Sequence, residues 1–260
     1  MNDYIRLRGG HIKAAASDVK HMQKALERMN IKLHDVISSL SGVSGLAVVR
    51  AILGGERDPH RLLMLCDTQI QRHKADRVKE ALRGTWADEH LFALKQALQS
   101  WEHYQGQIAE CDRQIEQLLR EGSGHDVPPG QPARKSRKGG VNAPVIPGLR
   151  DILTQLCGGQ DLTRLPAHTE YSVLQIVSEV GTDLQQWATE KHFTAWMGLA
   201  PGSHQSGKRK GSVKRNRNRA GRLFCVIARS LARSKDIALG GFYRRMAARR
   251  GGLVANTALA

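Results

Sequence analysis

Ser206 stands in a segment, Gly202-Ser203-His204-Gln205-Ser206-Gly207-Lys208, that follows Pro201 and contains no apolar residue. Composition makes it a loop, and Gly207 gives the backbone a conformation closed to other residues, so the Ser206 hydroxyl can project from a tight turn. Eight basic side chains and no acid follow: Lys208, Arg209, Lys210, Lys214, Arg215, Arg217, Arg219 and Arg222. A serine hydroxyl in such a setting has one obvious substrate, a phosphodiester. Its attack would place negative charge on phosphorus, neighbouring Arg and Lys would stabilise that charge, and a phosphoserine link would conserve the bond energy. Most serines in basic loops only hydrogen-bond locally, and spacing assigns no His or Asp partner, so the residue types leave both readings open.

The charge itself is more telling. Between Gly207 and Arg250 lie fifteen Lys and Arg against the lone acid Asp236, which is +14 of the formal +16; the remaining residues are almost neutral. An imbalance confined to one stretch is the footprint of a surface that meets a polyanion, and it implies strongly salt-dependent binding. The next helix supports this. Leu223, Ile227, Ser230 and Leu231 fall near one face, while Arg222, Arg229 and Arg233 form a ridge on another. Phe242 and Tyr243 are expected to anchor the last helix and leave Arg244 and Arg245 free.

The elements that position these residues are helical. Ile12, Val19, Met22, Leu26 and Met29 recur at helical spacing, and Leu33, Val36, Ile37 and Leu40 form a second helical stripe after Asn30. Gly42 and Gly45 interrupt it before a short apolar helix, Leu46 to Leu53. Asp58 as N-cap and Pro59 at the first position start another. Over 88–121, Leu94, Trp101, Ile108 and Ile115 fall at sevens, with Ala97, Tyr104, Cys111 and Leu118 three residues after each. This heptad seam needs cover, either from a second copy of the chain or from its own earlier helices. Residues 122–145, rich in Gly, Pro, Ser, Lys and Arg, read as a flexible linker. Beyond it, helices are expected over Leu149 to Leu156, over Tyr171 to Val180 closed by Gly181, and from the cap Thr189 through Trp196 to Gly198. No alternating strand pair is evident. The expected fold is mainly α, with a helical segment at 1–84, a coiled-coil-like helix at 85–121, the linker, and a helical C-terminal domain at 146–260.

The four cysteines are far apart and the eleven histidines scattered, which argues against a zinc site or a disulfide framework. No apolar run is long enough to cross a bilayer and the N-terminus has no signal-peptide core, so no membrane partner and a cytoplasmic location are expected.

A family resemblance adds to this. The ordered segments Asp161-Leu162-Thr163, Tyr171-Ser172-Val173-Leu174, Ser178-Glu179-Val180-Gly181-Thr182-Asp183, Glu190-Lys191-His192-Phe193, Trp196-Met197-Gly198-Leu199-Ala200-Pro201, Ser206-Gly207-Lys208, Asn218-Arg219-Ala220 and Gly241-Phe242-Tyr243-Arg244 resemble the C-terminal domain of the insertion-sequence 110 transposases. Upstream, Gly42-Val43-Ser44-Gly45 and Gly55-Glu56-Arg57-Asp58-Pro59 resemble the same family. The resemblance implies a DNA recombinase guided by a structured RNA, with Ser206 as nucleophile, while the charge pattern puts Lys208, Arg209, Lys210, Lys214, Arg215, Arg217, Arg219, Arg222, Arg229 and Arg233 on nucleic acid. It also implies a homo-oligomer through residues 88–121. Such transposases carry four metal-binding acids in an N-terminal ribonuclease-H-like domain, and the chain begins downstream of that segment. The expectation is therefore an N-terminally truncated copy with no cofactor of its own, Mg²⁺ belonging to the missing domain. The usual Ser-Gly-Gly-Lys is one glycine short here, the last residues resemble the start of a final helix, and Pro166-Ala167-His168-Thr169 replaces a glycine-containing hairpin. The alternatives are an inactive nucleic-acid-binding remnant or regulator, and a helical scaffold whose basic tail only confers solubility.

Overall fold

A computed structural model describes residues 1–123, 140, 142–200, 217–235 and 238–260. The described residues are mainly α-helical and contain no strand. They form two compact units, Arg6–Cys111 and Met1–Ile5 with Asp112–Ala260. Among the described residues no helix is long and apolar enough to cross a membrane.

The first unit is built on α1 (Asn2–Arg28) and α5 (Asp88–Ser123). His11 lies against Tyr104 with ring centroids 5.8 Å apart, and Ser100 Oγ donates to Asp18 Oδ2 at 2.8 Å, so the two helices run antiparallel. The register explains the seam of α5. Ile5, Ile12, Val19 and Leu26 of α1 recur at sevens, with Arg8, Ala15, Met22 and Met29 three residues after each. Within this unit Met22, Leu26 and Met29 share a core with Leu94, Ala97 and Leu98. The N-terminal half of the seam is therefore covered by the chain's own first helix.

Asn30 ends α1 at φ 57°, with Ile31 N–H donating to Leu26 O and Asn30 N–H to Glu27 O, the paired bonds of a Schellman motif. The stripe that follows does not form an α-helix, contrary to its spacing. Leu33–Asp35 make one 3₁₀ turn, and Leu33, Val36, Ile37 and Leu40 are buried from a run of turns. Gly45 sits so close to Leu40 that a Cβ would overlap the Leu40 carbonyl oxygen, which fixes the bend into α2 (Val43–Leu53). Asp58 and Pro59 start α3 (Pro59–Met64) as expected, the Asp58 carboxylate accepting from His60 N–H at 3.0 Å. Helix α4 (Thr68–Ala81) has no counterpart among the helices expected from the sequence, and its buried apolar face is little more than Val78.

In the second unit the C-terminal part of α5 supplies Ile115 and Leu119 to a core with α6 (Leu149–Leu156) and α7 (Glu170–Val180). A second core joins α7 to α8 (Glu190–Trp196) and α9 (Arg219–Ala232) through Ile176, Val180, Met197, Cys225, Ile227 and Leu231. Helix α7 is apolar on both sides because it separates these cores: Val173, Leu174 and Val177 face one, Ile176 and Val180 the other. Thr169 and Ser172 cap it reciprocally and Gly181, at φ 82°, closes it. Helices α10 (Ala238–Arg250) and α11 (Gly252–Leu259) complete the unit.

Candidate nucleic-acid interface

Ser206 and the basic residues Lys208, Arg209, Lys210, Lys214 and Arg215 lie outside the described residues. The two elements that flank their segment are defined, and they are held together. Gly198 at φ 72° ends α8 in another Schellman motif, Leu199 N–H donating to Thr194 O and Gly198 N–H to Ala195 O. Asn218 caps α9, its Oδ1 accepting from Gly221 N–H at 2.8 Å, while its Nδ2 donates to Trp196 O at 3.0 Å. At Gly221 a Cβ would overlap the Met197 carbonyl oxygen and lie 3.1 Å from its carbon, so only glycine permits this approach of α9 to the end of α8. The end of α8 and the start of α9 thus meet in a close contact, the neck, made by Trp196, Met197, Asn218 and Gly221.

Aromatic side chains stiffen the neck. Trp187 packs on Phe193 at 4.8 Å and on Trp196 at 5.0 Å between ring centroids, and Phe193 meets Phe224 of α9 edge-on at 6.5 Å. Trp196 remains 43% exposed.

The described basic residues divide into two groups. Arg217 turns inward: it is half-buried and donates to Thr257 Oγ1 of α11 at 2.6 Å, while Arg222 Nε donates to the Arg217 carbonyl at 3.2 Å. Arg219 Nε lies 3.9 Å from the largely buried Glu179 of α7. Arg222, Arg229 and Arg233 are exposed on α9, and none of the three has a carboxylate partner among the described residues. Ser230, placed by spacing with the apolar face, is exposed beside Arg229 and back-bonds to Val226 O at 3.3 Å. In α10 Phe242 and Tyr243 are half-buried, and Arg244 donates to Ser234 O at 2.8 Å.

Several residues that carry the resemblance have structural work. Arg57 stacks over the Trp86 ring at 4.3 Å and donates to the Ile52 and Glu56 carbonyls. Backbone hydrogen bonds from Asp58 and Arg57 hold the Glu56 carboxyl below its ordinary range. Asp161 caps the 3₁₀ turn Leu162–Arg164 and accepts from Arg150 Nε at 3.0 Å. Burial pushes its carboxyl up, but hydrogen bonds from Arg150 and Thr163 outweigh that and leave it lowered. Ala167 sits at φ 63°, the conformation a glycine takes without strain. Burial raises the Cys66, Cys157 and Cys225 thiols and makes them poor nucleophiles. Among the described residues no group of three or more His, Cys, Asp or Glu is placed to hold a metal ion.

Residues 159–244 match the model of the transposase IS116/IS110/IS902 family, a span that begins just before Asp161 and contains the neck, its enclosed segment and α9. Comparisons with curated proteins and with solved structures give no match.

Proposed function

We propose that the chain, whose residues 159–244 match the IS116/IS110/IS902 transposase family, acts on insertion-sequence DNA with Ser206 as the attacking group. The observation that carries this reading is the neck. A nucleophile on a loop works only if the loop's ends are rigidly placed, and Asn218, Gly221 and the Met197 carbonyl bring those ends together inside the family-matched span.

In the proposed step the Ser206 oxygen bonds to phosphorus and one bridging P–O bond of the strand breaks. The serine proton passes to solvent or a base, and the leaving strand end takes up a proton as a hydroxyl. Lys208, Arg209 and Lys210 stabilise the charge on phosphorus, and the arginines of α9 hold the flanking strand. A structured guide RNA would be held by the same basic segment, whose charge suits either nucleic acid.

The test is covalent trapping. The chain is incubated with labelled element-end junction DNA, with and without flanking RNA and Mg²⁺, then denatured. A protein–DNA adduct that disappears in Ser206→Ala supports the reading. Salt-sensitive binding with no adduct would instead support a nucleic-acid-binding regulator.

A further inference from the structure

The outer face of α9 has a feature that charge alone does not explain. Arg222, Val226, Arg229 and Arg233 are spaced by four, three and four residues, which at 3.6 residues per turn puts them within about a 60° arc. Every other large apolar side chain of the helix, Leu223, Phe224, Ile227 and Leu231, is buried or half-buried in the core. Val226 is 61% exposed, in the middle of the basic ridge. From Arg222 to Arg233 the ridge spans about 16 Å at 1.5 Å per residue, and it holds no acid. Arg219 at its start is drawn towards Glu179, so the arginines with no described carboxylate partner are the ones that flank Val226.

We propose that this face of α9 lies in the major groove of duplex DNA, with Val226 against base edges and Arg222, Arg229 and Arg233 on the bordering phosphates. The inference rests on the DNA-transposase reading above and adds the element and groove that meet the duplex. The occupant follows from the shape and chemistry of the face. A helix flanked by arginines fits the groove of B-form DNA, about 12 Å wide, whereas the major groove of A-form RNA is too deep and narrow to admit one. A small branched apolar side chain has one specific partner there, the thymine methyl group, while arginines on either side fix the depth. Against a single strand, an aromatic platform rather than an isolated valine would be expected.

The experiment uses the full chain and a labelled mixed-sequence DNA duplex, with binding measured by fluorescence anisotropy across a salt titration. An RNA duplex of matching sequence serves as competitor. Arg229→Gln with Arg233→Gln should reduce the slope of log affinity against log salt by about 2, since each phosphate contact contributes about 0.9. Val226→Ala should leave that slope unchanged but flatten the preference at one base pair, by several-fold in a selection from a randomised duplex library. The double arginine variant should lose more affinity for the DNA duplex than for the RNA duplex, which the rest of the basic segment can still hold by charge. Because these three side chains face solvent, thermal melts of the variants should match the parent, and a variant that melts early is replaced by Arg→Met or Val→Ser at the same position. A slope unchanged in the double arginine variant, an unchanged base preference in Val226→Ala, or an equal loss of RNA-duplex and DNA-duplex affinity in the double arginine variant would overturn the groove assignment while the parent still binds DNA. A parent that binds no duplex DNA at any salt would overturn the broader reading as well.

Discussion

Replacing Gly221 with alanine opposes two effects of known sign. Gly221 lies in the first turn of α9, and helix propensity alone favours alanine over glycine by about 1 kcal/mol. The added Cβ, however, would overlap the Met197 carbonyl oxygen. That neighbour is backbone at the end of α8, so it cannot swing aside like a side chain. Relief requires α9 and α8 to separate, which weakens the Asn218 bond to Trp196 O and loosens Met197 and Leu199 from their core. Overpacking of this kind costs roughly 1–3 kcal/mol, more where rigid atoms meet, and one loosened hydrogen bond adds about 1. The net expectation is a loss of about 2 kcal/mol in the second unit. Native-state hydrogen exchange of the α9 amides measures it locally, and protection should fall roughly thirtyfold. Amides of α2 and α3 in the other unit act as the internal reference. Alanine leaving α9 protection equal or higher would show that propensity dominates, and the neck would not be the rigid base described.

Two further outcomes test the surrounding frame. The lowered Asp161 carboxyl makes the second unit acid-sensitive in a defined window: its contribution is complete above the ordinary carboxyl pKa of about 3.9 and is lost as pH falls through the lower folded value. Asp161→Asn should therefore cost about 1–2 kcal/mol at neutral pH and flatten the acid limb of a stability–pH curve; an unchanged limb would remove the Arg150 pair from the account. Ala167→Gly should stabilise by about 0.5 kcal/mol in urea unfolding, because relief of the left-handed backbone, about 1–2 kcal/mol, exceeds the entropy cost of glycine. A destabilised variant would mean that the Ala167 methyl contact with the second core matters more.

What could be read from sequence was local. Thr189, Asp58 and Gly181 announce helix ends because caps and left-handed closures act over three or four residues, and each sits where expected. What escaped depends on partners distant in the chain. The beginning of α1 was missed because Arg8 occupies a buried heptad position, where an apolar residue would have extended the pattern. Helix α4 was missed because so little of it is buried, and the 33–40 stripe misled because turns can bury apolar residues at helical spacing. At the candidate site, the asparagine and glycine of Asn218 and Gly221 are ordinary by composition. Only the approach of α8 gives them their function in the neck. Likewise nothing in the run of eight basic residues separates Arg217, turned inward to Thr257, from Arg222 beside it in the outward ridge.

The central claim is that Ser206 forms the covalent link to DNA. It is tested most directly by digesting the denatured adduct with nuclease and protease and locating the nucleotide remnant by peptide mass spectrometry. The account requires the remnant on the Ser206 hydroxyl, within the peptide that begins after the neck at Pro201. A remnant on another residue, or an adduct that persists undiminished in Ser206→Ala, would contradict it.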